Sequence, residues 1–280
     1  MQVILSHYQA KVLLAARASG NTTCEASPDL GLTLQEVSLG AEGAAFPVGE
    51  TLDWQVIFSI TEDENGCYVV GGGEASKIQF FSETTGRSLS LYPTRGAPTM
   101  LVSGIPMHRI KDTDPHQDTL EKIRAVKPVV GRVLDTTTGL GYTAIEAAKT
   151  ASEVITVELD PMALEVARNN PWSQALFTDP KIKQRVGDSF EVIQEFETGM
   201  FTRILHDPPV FSLAGDLYSG EFYVELYRVL RSGGKLFHYV GDPESKSGKN
   251  VTASVVRRLG QAGFREIRKA PRAFGVVAVK

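Results

Sequence analysis

Two patterns of hydrophobic and polar positions divide the chain. From Leu32 to about Arg109, short stretches rich in β-branched and aromatic residues alternate with Gly, Pro and Asn, which is typical of strands joined by turns. The stretch WQVIFSI is predicted to be one of these strands. Asn65-Gly66 is predicted to form the hairpin turn after it, because both residues tolerate positive φ. The pattern predicts a small, mainly antiparallel β domain over residues 1–115.

From about Asp118 the pattern changes to apolar strands that alternate with helical periodicity, which predicts parallel βα units in an α/β sheet. The first helix is expected to begin with Asp118 as its cap, ahead of TLEKIRAV. At the other end, FREIRKA and FGVVAVK are two strands with only Pro271 and a few neighbours between them. A parallel crossover needs a longer connection, so an antiparallel last strand is expected. Residues 116–280 are therefore predicted to form a Rossmann-like α/β domain.

Composition narrows the classes of function. The 280 residues are 42% hydrophobic and carry a net charge of −4, which is typical of a globular protein without a general affinity for nucleic acid. Cys24 and Cys67 lie far apart without a CxxC pair, so neither a disulfide framework nor a metal site is expected. His7 and Lys11 interrupt the apolar opening stretch, which predicts neither a signal peptide nor a membrane span. A reducing cytoplasm is the expected location.

A glycine-containing loop stands between the first predicted strand of the second domain and the helix after it. The sequence DTTTGLG, at 135–141, occupies this turn. Such a turn brings backbone close to a ligand at a helix N-terminus, and Gly139 and Gly141 permit the close approach. A dinucleotide-binding fold would show similar glycines, so the loop alone leaves that alternative open.

Acidic residues follow the next three strands. Glu158 ends the second strand, where a carboxylate can accept both hydroxyls of a ribose. Gly187-Asp188-Ser189 closes the third strand, and Asp188 is placed to accept from an adenine amino group. His206-Asp207-Pro208-Pro209 closes the fourth strand. These positions predict a nucleoside site along one edge of the sheet.

On these residues, the run from about Arg132 to Lys280 resembles a class I S-adenosylmethionine-dependent methyltransferase. The terminal hairpin separates it from dehydrogenases. The resemblance implies S-adenosyl-L-methionine as the cofactor and no metal. It implies cofactor contacts by Asp135, Thr136, Thr137, Gly139, Gly141, Glu158, Asp160, Asp188 and Ser189. Thr137 departs from the D-x-G-x-G-x-G pattern of the family, because it replaces the first Gly.

The same resemblance implies that Asp207-Pro208-Pro209 and Phe211 form the reacting end of the site. In the D/N-P-P-aromatic motif of amine-directed enzymes, the acidic or amide side chain and a backbone carbonyl accept hydrogen bonds from the substrate NH2, and an aromatic ring stacks on the substrate. Here Val210 takes the usual aromatic position and Phe211 follows, as DPPxF does in some ribosomal RNA methyltransferases. His206 is interpreted as a packing residue at the end of a buried strand.

A second resemblance lies in the same superfamily. GDSFEVIQEF, YSGEFYVELYRVLRSGG and an N-terminal β domain are similar to the spermidine synthase branch, which transfers an aminopropyl group from decarboxylated S-adenosylmethionine. The GGGDG loop of that branch is replaced by TTTGLG, and its catalytic D-S-x-D-P is replaced by His206-Asp207-Pro208-Pro209. The branch therefore serves as a guide to architecture more than to reaction.

Three functions follow from these patterns. The leading hypothesis is a methyltransferase that acts on a nitrogen or a similar nucleophile of RNA, protein or a small metabolite. DPPxF and the basic C-terminal end favour RNA, whereas the acidic N-terminal half does not. The alternatives are an aminopropyltransferase and a non-catalytic module that binds the cofactor or assembles through its β domain. A homodimer is a further expectation, and a membrane partner is not.

Overall fold

The chain forms two compact units. The computed structural model describes residues 2–209, 214–242 and 244–280. Unit 1 consists of Met1–His116 and Met162–Gln174, and unit 2 consists of Gln117–Pro161 and Ala175–Lys280. Among the described residues, no helix combines the length and the apolar character needed to cross a membrane.

Unit 1 is mainly β-structure, and its described residues form three antiparallel sheets. Its elements up to residue 106 are β1 Val3–Ser6, α1 His7–Ala18, β2 Thr23–Ala26, β3 Gln35–Leu39, β4 Gly43–Ala45, β5 Thr51–Asp53, α2 Trp54–Glu62, β6 Cys67–Gly71, β7 Glu74–Lys77, β8 Gln79–Ser82, β9 Arg87–Tyr92, β10 Thr99–Val102 and β11 Ile105–Pro106. The sheet orders are β1-β6-β7, β2-β3-β4-β5 and β11-β10-β9-β8. The antiparallel character expected from the sequence is confirmed.

One predicted strand of unit 1 is wrong, because WQVIFSI lies in the helix α2, and the predicted hairpin at Asn65-Gly66 is wrong with it, because this turn joins α2 to β6. Asp53 caps this helix by accepting a hydrogen bond from the amide of Gln55 at 2.6 Å. Trp54, Ile57 and Ile60 are buried at a spacing of three residues, which is the spacing of one helix face. The cap and this apolar face outweigh the β propensity of the stretch.

Unit 2 alternates strands and helices. Its elements, with those at its borders, are α3 Pro115–Ala125, β12 Arg132–Asp135, α4 Tyr142–Ala148, β13 Glu153–Glu158, α5 Pro161–Arg168, α6 Gln174–Thr178, β14 Ile182–Val186, α7 Ser189–Val192, β15 Phe201–His206, α8 Gly220–Val229, β16 Leu230–Tyr239, α9 Lys246–Gln261, β17 Arg265–Ala270 and β18 Gly275–Val279. Short 3-10 helices span Pro171–Ser173, Ile193–Glu195, Gly215–Tyr218 and Pro271–Ala273.

The sheet that the described residues of unit 2 form has the order β14-β13-β12-β15-β16-β18-β17. Strands β12 to β16 pair in parallel, whereas β18 is antiparallel to both β16 and β17. This arrangement confirms the predicted α/β sheet with an antiparallel last strand. The order also places the carboxyl ends of β12, β13, β14 and β15 at one edge, where ligands bind in open α/β sheets.

The start of α3 differs from the prediction. The helix begins at Pro115, and Asp114 accepts a hydrogen bond from the amide of His116 at 2.8 Å. Asp118 therefore lies inside the helix and is fully buried, so it is not the cap. Its carboxylate pairs instead with Lys122 one turn later.

Candidate active site

The loop after β12 is held by three consecutive threonine hydroxyls. Thr136 Oγ1 lies 2.7 Å from His206 Nδ1, and Thr137 Oγ1 donates to the main-chain carbonyl of Asp207 at 2.8 Å. Thr138 Oγ1 lies 2.7 Å from the hydroxyl of Thr156 on β13. The loop is thus tied to the strand on each side of it. These hydrogen bonds explain how the turn accommodates the Thr137 side chain at the position where the family pattern has its first glycine.

Asp135, at the end of β12, is hydrogen-bonded to two threonines beside this loop. Its Oδ2 accepts hydrogen bonds from Thr156 at 2.9 Å and from Thr143 at 3.2 Å. Oδ1 is buried and has no hydrogen-bond partner among the described residues. Burial, with smaller contributions from the charges of Asp207 and Glu158, raises the pKa of Asp135 to about 8, although the two threonine hydrogen bonds act in the opposite direction. The carboxyl group is therefore mainly protonated at neutral pH.

Glu158 links the loop to the second strand. Its Oε2 accepts from the amide of Gly139 at 2.8 Å, and its Oε1 accepts from the amide of Asp160 at 3.0 Å. Burial raises the pKa of Glu158 above its ordinary value, although these backbone donors act in the opposite direction. Each carboxylate oxygen retains a further lone pair. The side chain can accept hydroxyl groups without leaving the loop.

The two loop glycines differ in their surroundings. Gly139 has φ of 52°, and a Cβ placed there would meet no atom within 4 Å. Gly141 has φ of 77°, and a Cβ there would lie 2.7 Å from a methyl carbon of Leu176. A Cβ at Gly141 would therefore crowd the Leu176 side chain, whereas Gly139 faces open space that a ligand can occupy.

The third strand contributes Asp188 and Ser189. Asp188 is exposed and caps α7 by accepting from the amide of Phe190 at 2.8 Å. Ser189 is buried, and its hydroxyl donates to the carbonyl of Thr136 at 2.5 Å. Ser189 therefore fastens the loop, while Asp188 presents a carboxylate at the same edge of the sheet.

His206 is fully buried, and both of its ring nitrogens are hydrogen-bonded inside the fold. Its Nε2 lies 2.9 Å from the carbonyl oxygen of Leu217 and donates to it, so Nδ1 accepts from the Thr136 hydroxyl. Burial lowers the pKa of His206 to about 3. A second buried histidine, His238, lies beside it with ring centroids 4.3 Å apart. These contacts agree with the packing role expected for His206.

Asp207 directly follows β15 and pairs with a buried lysine. Lys122 Nζ lies 2.6 Å from Asp207 Oδ2 and 2.8 Å from Asp118 Oδ2. Burial by itself lowers the pKa of Lys122, but the Asp207 and Asp118 carboxylates outweigh burial and raise it above its ordinary value. Lys122 is therefore a permanent cation at the end of the fourth strand.

The rest of the predicted reacting end is partly described. Pro208 is buried, and the carbonyl of Pro209 accepts from the Tyr218 hydroxyl at 3.1 Å. Val210 and Phe211 lie outside the described residues, so the predicted role of the Phe211 ring stays a prediction. Loop, carboxylates and DPP segment nevertheless meet along one edge, joined by the bonds of Thr137, Gly139 and Ser189.

Sequence reasoning did not find Lys122 or its partner Asp118. Lysines in helices of mixed charge usually face solvent, and the sequence of α3 has many polar residues. The one available signal is the spacing of four residues between Asp118 and Lys122, which puts both side chains on one helix face. That signal does not show whether the face is exposed or buried.

The sheet order and the acidic edge define the class I S-adenosylmethionine-dependent methyltransferase fold, which confirms the first resemblance. Within that class, the chain belongs to the spermine/spermidine synthase domain family, whose model matches residues 56–270. Both resemblances drawn from the sequence are thereby confirmed for the fold. The family also places the chain among transferases.

Individual relatives agree with this assignment. The chain is 45% identical over 239 residues to the uncharacterized protein MJ1233 of Methanocaldococcus jannaschii, covering 85% of the chain and 81% of the relative. It is 29% identical over 101 residues to putrescine N-methyltransferase 4 of Nicotiana tabacum, covering 34% of the chain and 26% of that protein. A crystal structure of spermidine synthase with the transition-state analogue AdoDATO superposes with a TM-score of 0.58 at 19% identity, covering 73% of the chain and 75% of that protein.

Proposed function

We propose that the chain transfers a methyl group from S-adenosylmethionine to a nitrogen or a similar nucleophile. The observation that carries this proposal is the state of His206, which begins the run His206-Asp207-Pro208-Pro209 that replaces the catalytic D-S-x-D-P of the resembling synthases. Both of its ring nitrogens are engaged inside the fold, and burial keeps the ring neutral. The position therefore offers no base for an ammonium group. Methyl transfer mainly requires that the nucleophile be aligned with the methyl carbon, which suits a site without such a base.

The residues along the sheet edge fit the cofactor chemically. The open space at Gly139 can receive part of the cofactor, and the remaining lone pairs of Glu158 can accept hydrogen bonds from two ribose hydroxyls. Asp188 can accept from the adenine amino group with the oxygen that does not cap α7. Asp160 and the Thr136-Thr137 backbone complete the proposed contacts, and Asp135 fixes the loop.

At the reacting end, Asp207 is proposed to orient the acceptor nitrogen. When bound, S-adenosylmethionine supplies a methyl carbon on its sulfonium: the acceptor forms the new bond while sulfur keeps the electrons of the broken one. Asp207 accepts a hydrogen bond from the acceptor N–H and directs the nitrogen lone pair. Pro208 and Pro209 stiffen the loop, and the Phe211 ring is the candidate for stacking. The product nitrogen releases one proton to solvent.

The first test separates binding from turnover. Asp207→Ala is expected to lower methyl transfer by about a hundredfold with little change in cofactor affinity, because alignment is lost but the nucleoside contacts remain. Glu158→Ala is expected to weaken S-adenosylhomocysteine binding by about tenfold or more, because a charged hydrogen-bond acceptor is removed. Calorimetry measures the affinities, and transfer of labelled methyl to RNA, protein and metabolite fractions measures turnover.

Glu153→Ala is the matched control for Glu158→Ala. Glu153 begins the same strand, β13, and its carboxylate pairs on the surface with Arg132 at 2.7 Å. This variant is expected to bind the cofactor like the unaltered chain. Full activity in both the Asp207 and the Glu158 variants would contradict the proposed site.

A second candidate function is aminopropyl transfer to a polyamine. The spermine/spermidine synthase domain match over residues 56–270 favours it, whereas the similarity to putrescine N-methyltransferase 4 favours methyl transfer within a related sequence. Calorimetry with S-adenosylmethionine and its decarboxylated form distinguishes the two. Tighter binding of the decarboxylated form would overturn the methyltransferase proposal.

A further inference from the structure

Basic side chains from three strands of unit 2 meet at the C-terminal end of α3. Arg268 Nη2, Arg203 Nε and Lys235 Nζ donate to the successive main-chain carbonyls of residues 125–127, at 3.3, 2.9 and 3.0 Å. The three side chains belong to β17, β15 and β16. They therefore lie on one face of the sheet, the face on which α3 ends.

The strand register extends this group to the edge of the sheet. Arg203 pairs with Lys235, which pairs with Val279 on β18. Val279 pairs in turn with Arg265 on the edge strand β17. Neighbouring strands lie about 4.8 Å apart, so this row of positions spans roughly 15 Å. Arg231 lies close enough for its positive charge to lower the pKa of Arg203. The basic cluster consists of Arg203, Arg231, Lys235, Arg265 and Arg268.

The positive charge of the basic cluster is not balanced by carboxylates. Within the part of the chain that the structure describes, no member of the cluster forms an ion pair. In contrast, Arg132, Arg185 and Arg228 of unit 2 each pair with a glutamate. The C-terminal end of a helix carries only about half a negative charge. The end of α3 therefore leaves most of the charge of five cations uncompensated.

The guanidinium of Arg203 keeps a donor for a ligand. The residue is 7% exposed, and its Nη1 donates to the carbonyl of Thr202 at 2.6 Å. Its Nη2 has no hydrogen-bond partner among the described residues and is not enclosed by the fold. A guanidinium has five N–H donors in a planar fork that matches the oxygens of a phosphate. Arg203 is thus held in place by carbonyls while one nitrogen remains for an anion.

Protection of the sheet edge does not account for the whole cluster. Charged side chains on an edge strand prevent sheets from pairing with one another, and β17 is an edge strand. That role explains Arg265 and Arg268, but Arg203 lies three strands inward and is buried. The chain as a whole has a net charge of −4. The cluster is therefore a local feature that suits an anionic partner.

The strand β17 leads from the basic cluster toward the cofactor edge. It runs in the same direction as β16, because both are antiparallel to β18. Lys269 near its end and Arg272 just after it are exposed. A flexible single strand can follow this path, whereas duplex DNA, with a persistence length of about 50 nm, cannot bend around one domain. Single-stranded RNA also presents unpaired bases.

We infer that the basic cluster is a binding surface for the phosphate backbone of single-stranded RNA. Arg203 and Arg231 contact one phosphate, and Arg265 and Arg268 contact others along β17. Contacts to phosphates carry no sequence information, so binding here is independent of sequence. This surface lies outside the cofactor site, and RNA binding to it does not depend on which group the site transfers.

The test measures binding of a labelled single-stranded RNA of about 20 nucleotides and mixed sequence by fluorescence anisotropy. The unaltered chain is expected to bind it with an affinity that falls as salt is added. In R231Q/R265Q/R268Q the affinity is expected to fall by about tenfold or more at about 50 mM salt. The slope of log K against log salt should decrease by about 2, because each phosphate contact to a single strand contributes about 0.7.

The control variant K11Q/K149Q/R185Q makes the same change in net charge. Lys11, Lys149 and Arg185 each pair with a glutamate at the surface, outside the basic cluster. This variant is expected to bind RNA like the unaltered chain. Denaturant unfolding shows whether each variant is folded. If R231Q/R265Q/R268Q is not, R231Q/R265Q gives the same comparison, because neither residue has a hydrogen bond to lose among the described residues.

The outcomes decide whether the cluster binds RNA. Loss of affinity and of slope in R231Q/R265Q/R268Q alone would support the inference. Absence of RNA binding by the unaltered chain at low salt, or equal weakening in the control variant, would overturn it. Tighter binding of a duplex DNA of the same length or of polyglutamate would also overturn it, and would assign the cluster to a duplex or to an acidic protein.

Discussion

Asp135 is an acidic side chain that folding removes completely from water. Burial raises its pKa from 3.8 to about 8, so the folded chain holds a proton that the unfolded chain releases. The stability linked to this proton is complete below about pH 4 and is lost as the pH rises toward 8. The stability of the unaltered protein is therefore expected to fall over this range, by at most about 1.4 kcal/mol per pH unit from this group.

Asp135→Asn tests this prediction, because the amide has a similar shape and does not ionise. Its oxygen can still accept from Thr143 and Thr156. Denaturant unfolding at about pH 5 and about pH 8 should show a smaller loss of stability in the variant than in the unaltered chain. Equal losses in the two proteins would show that Asp135 is not the protonated group.

Single residues differ in how well the sequence predicts their environment. His206 lies at the end of a strand with an apolar pattern, and the structure confirms that it packs inside the fold. Lys122 lies in a helix whose charges alternate, and charge pattern alone assigns such residues to the surface. Its burial depends on Asp207, which is 85 positions away in the chain. Pairing over that separation is a tertiary property that local sequence does not contain.

At the scale of elements, the strand-to-helix turn after β12 contains two glycines, and each is favoured for a different physical reason. Gly141→Ala places a methyl group 2.7 Å from Leu176 at a positive φ, and we expect a loss of about 2–5 kcal/mol in stability. Gly139→Ala meets no neighbour within 4 Å, so only the backbone penalty of about 1–2 kcal/mol is expected. Its methyl group would nevertheless occupy ligand space and weaken S-adenosylhomocysteine binding by about tenfold or more.

Denaturant unfolding and calorimetry on the two variants check both halves of this prediction. The variants serve as controls for each other, because they carry the same change in the same loop. A Gly139→Ala protein that binds S-adenosylhomocysteine normally would show that the open space beside this residue is not part of the ligand site.

Elements with a strong period were predictable, and the wrong strand at WQVIFSI has a local cause. The βα units of unit 2 and its terminal hairpin follow from apolar runs of strand length and from connection lengths. In α2 the buried residues Trp54, Ile57 and Ile60 have helical spacing, but β-branched and aromatic neighbours between them hide it. The Asp53 cap was the discriminating signal. The loop residues were predictable as a set, whereas the threonine bonds that fasten them were not.

At the scale of the whole molecule, the candidate site belongs to unit 2 alone. Asp135, Glu158, Asp188 and Asp207 all lie in Gln117–Pro161 or Ala175–Lys280. The segment Met162–Gln174 interrupts unit 2 in sequence and belongs to unit 1, where the indole of Trp172 donates to the carbonyl of Leu30 at 3.1 Å. The pattern of βα units in the sequence continues through this segment, so the pattern does not indicate that residues 162–174 belong to unit 1.

Ligand binding should therefore protect one unit and leave the other unchanged. A ligand at about 100 times its dissociation constant stabilises the state that binds it by about 2.7 kcal/mol, which slows amide exchange through local opening about a hundredfold. With S-adenosylhomocysteine we expect slower hydrogen exchange in peptides that contain Gly139, Asp160 or Ser189, and no change in β3 or β9. Hydrogen-exchange mass spectrometry measures each peptide, and ATP, which shares the adenosine but not the methionine part, is the control ligand. Protection confined to the strands of unit 1 would place the nucleoside away from this sheet edge.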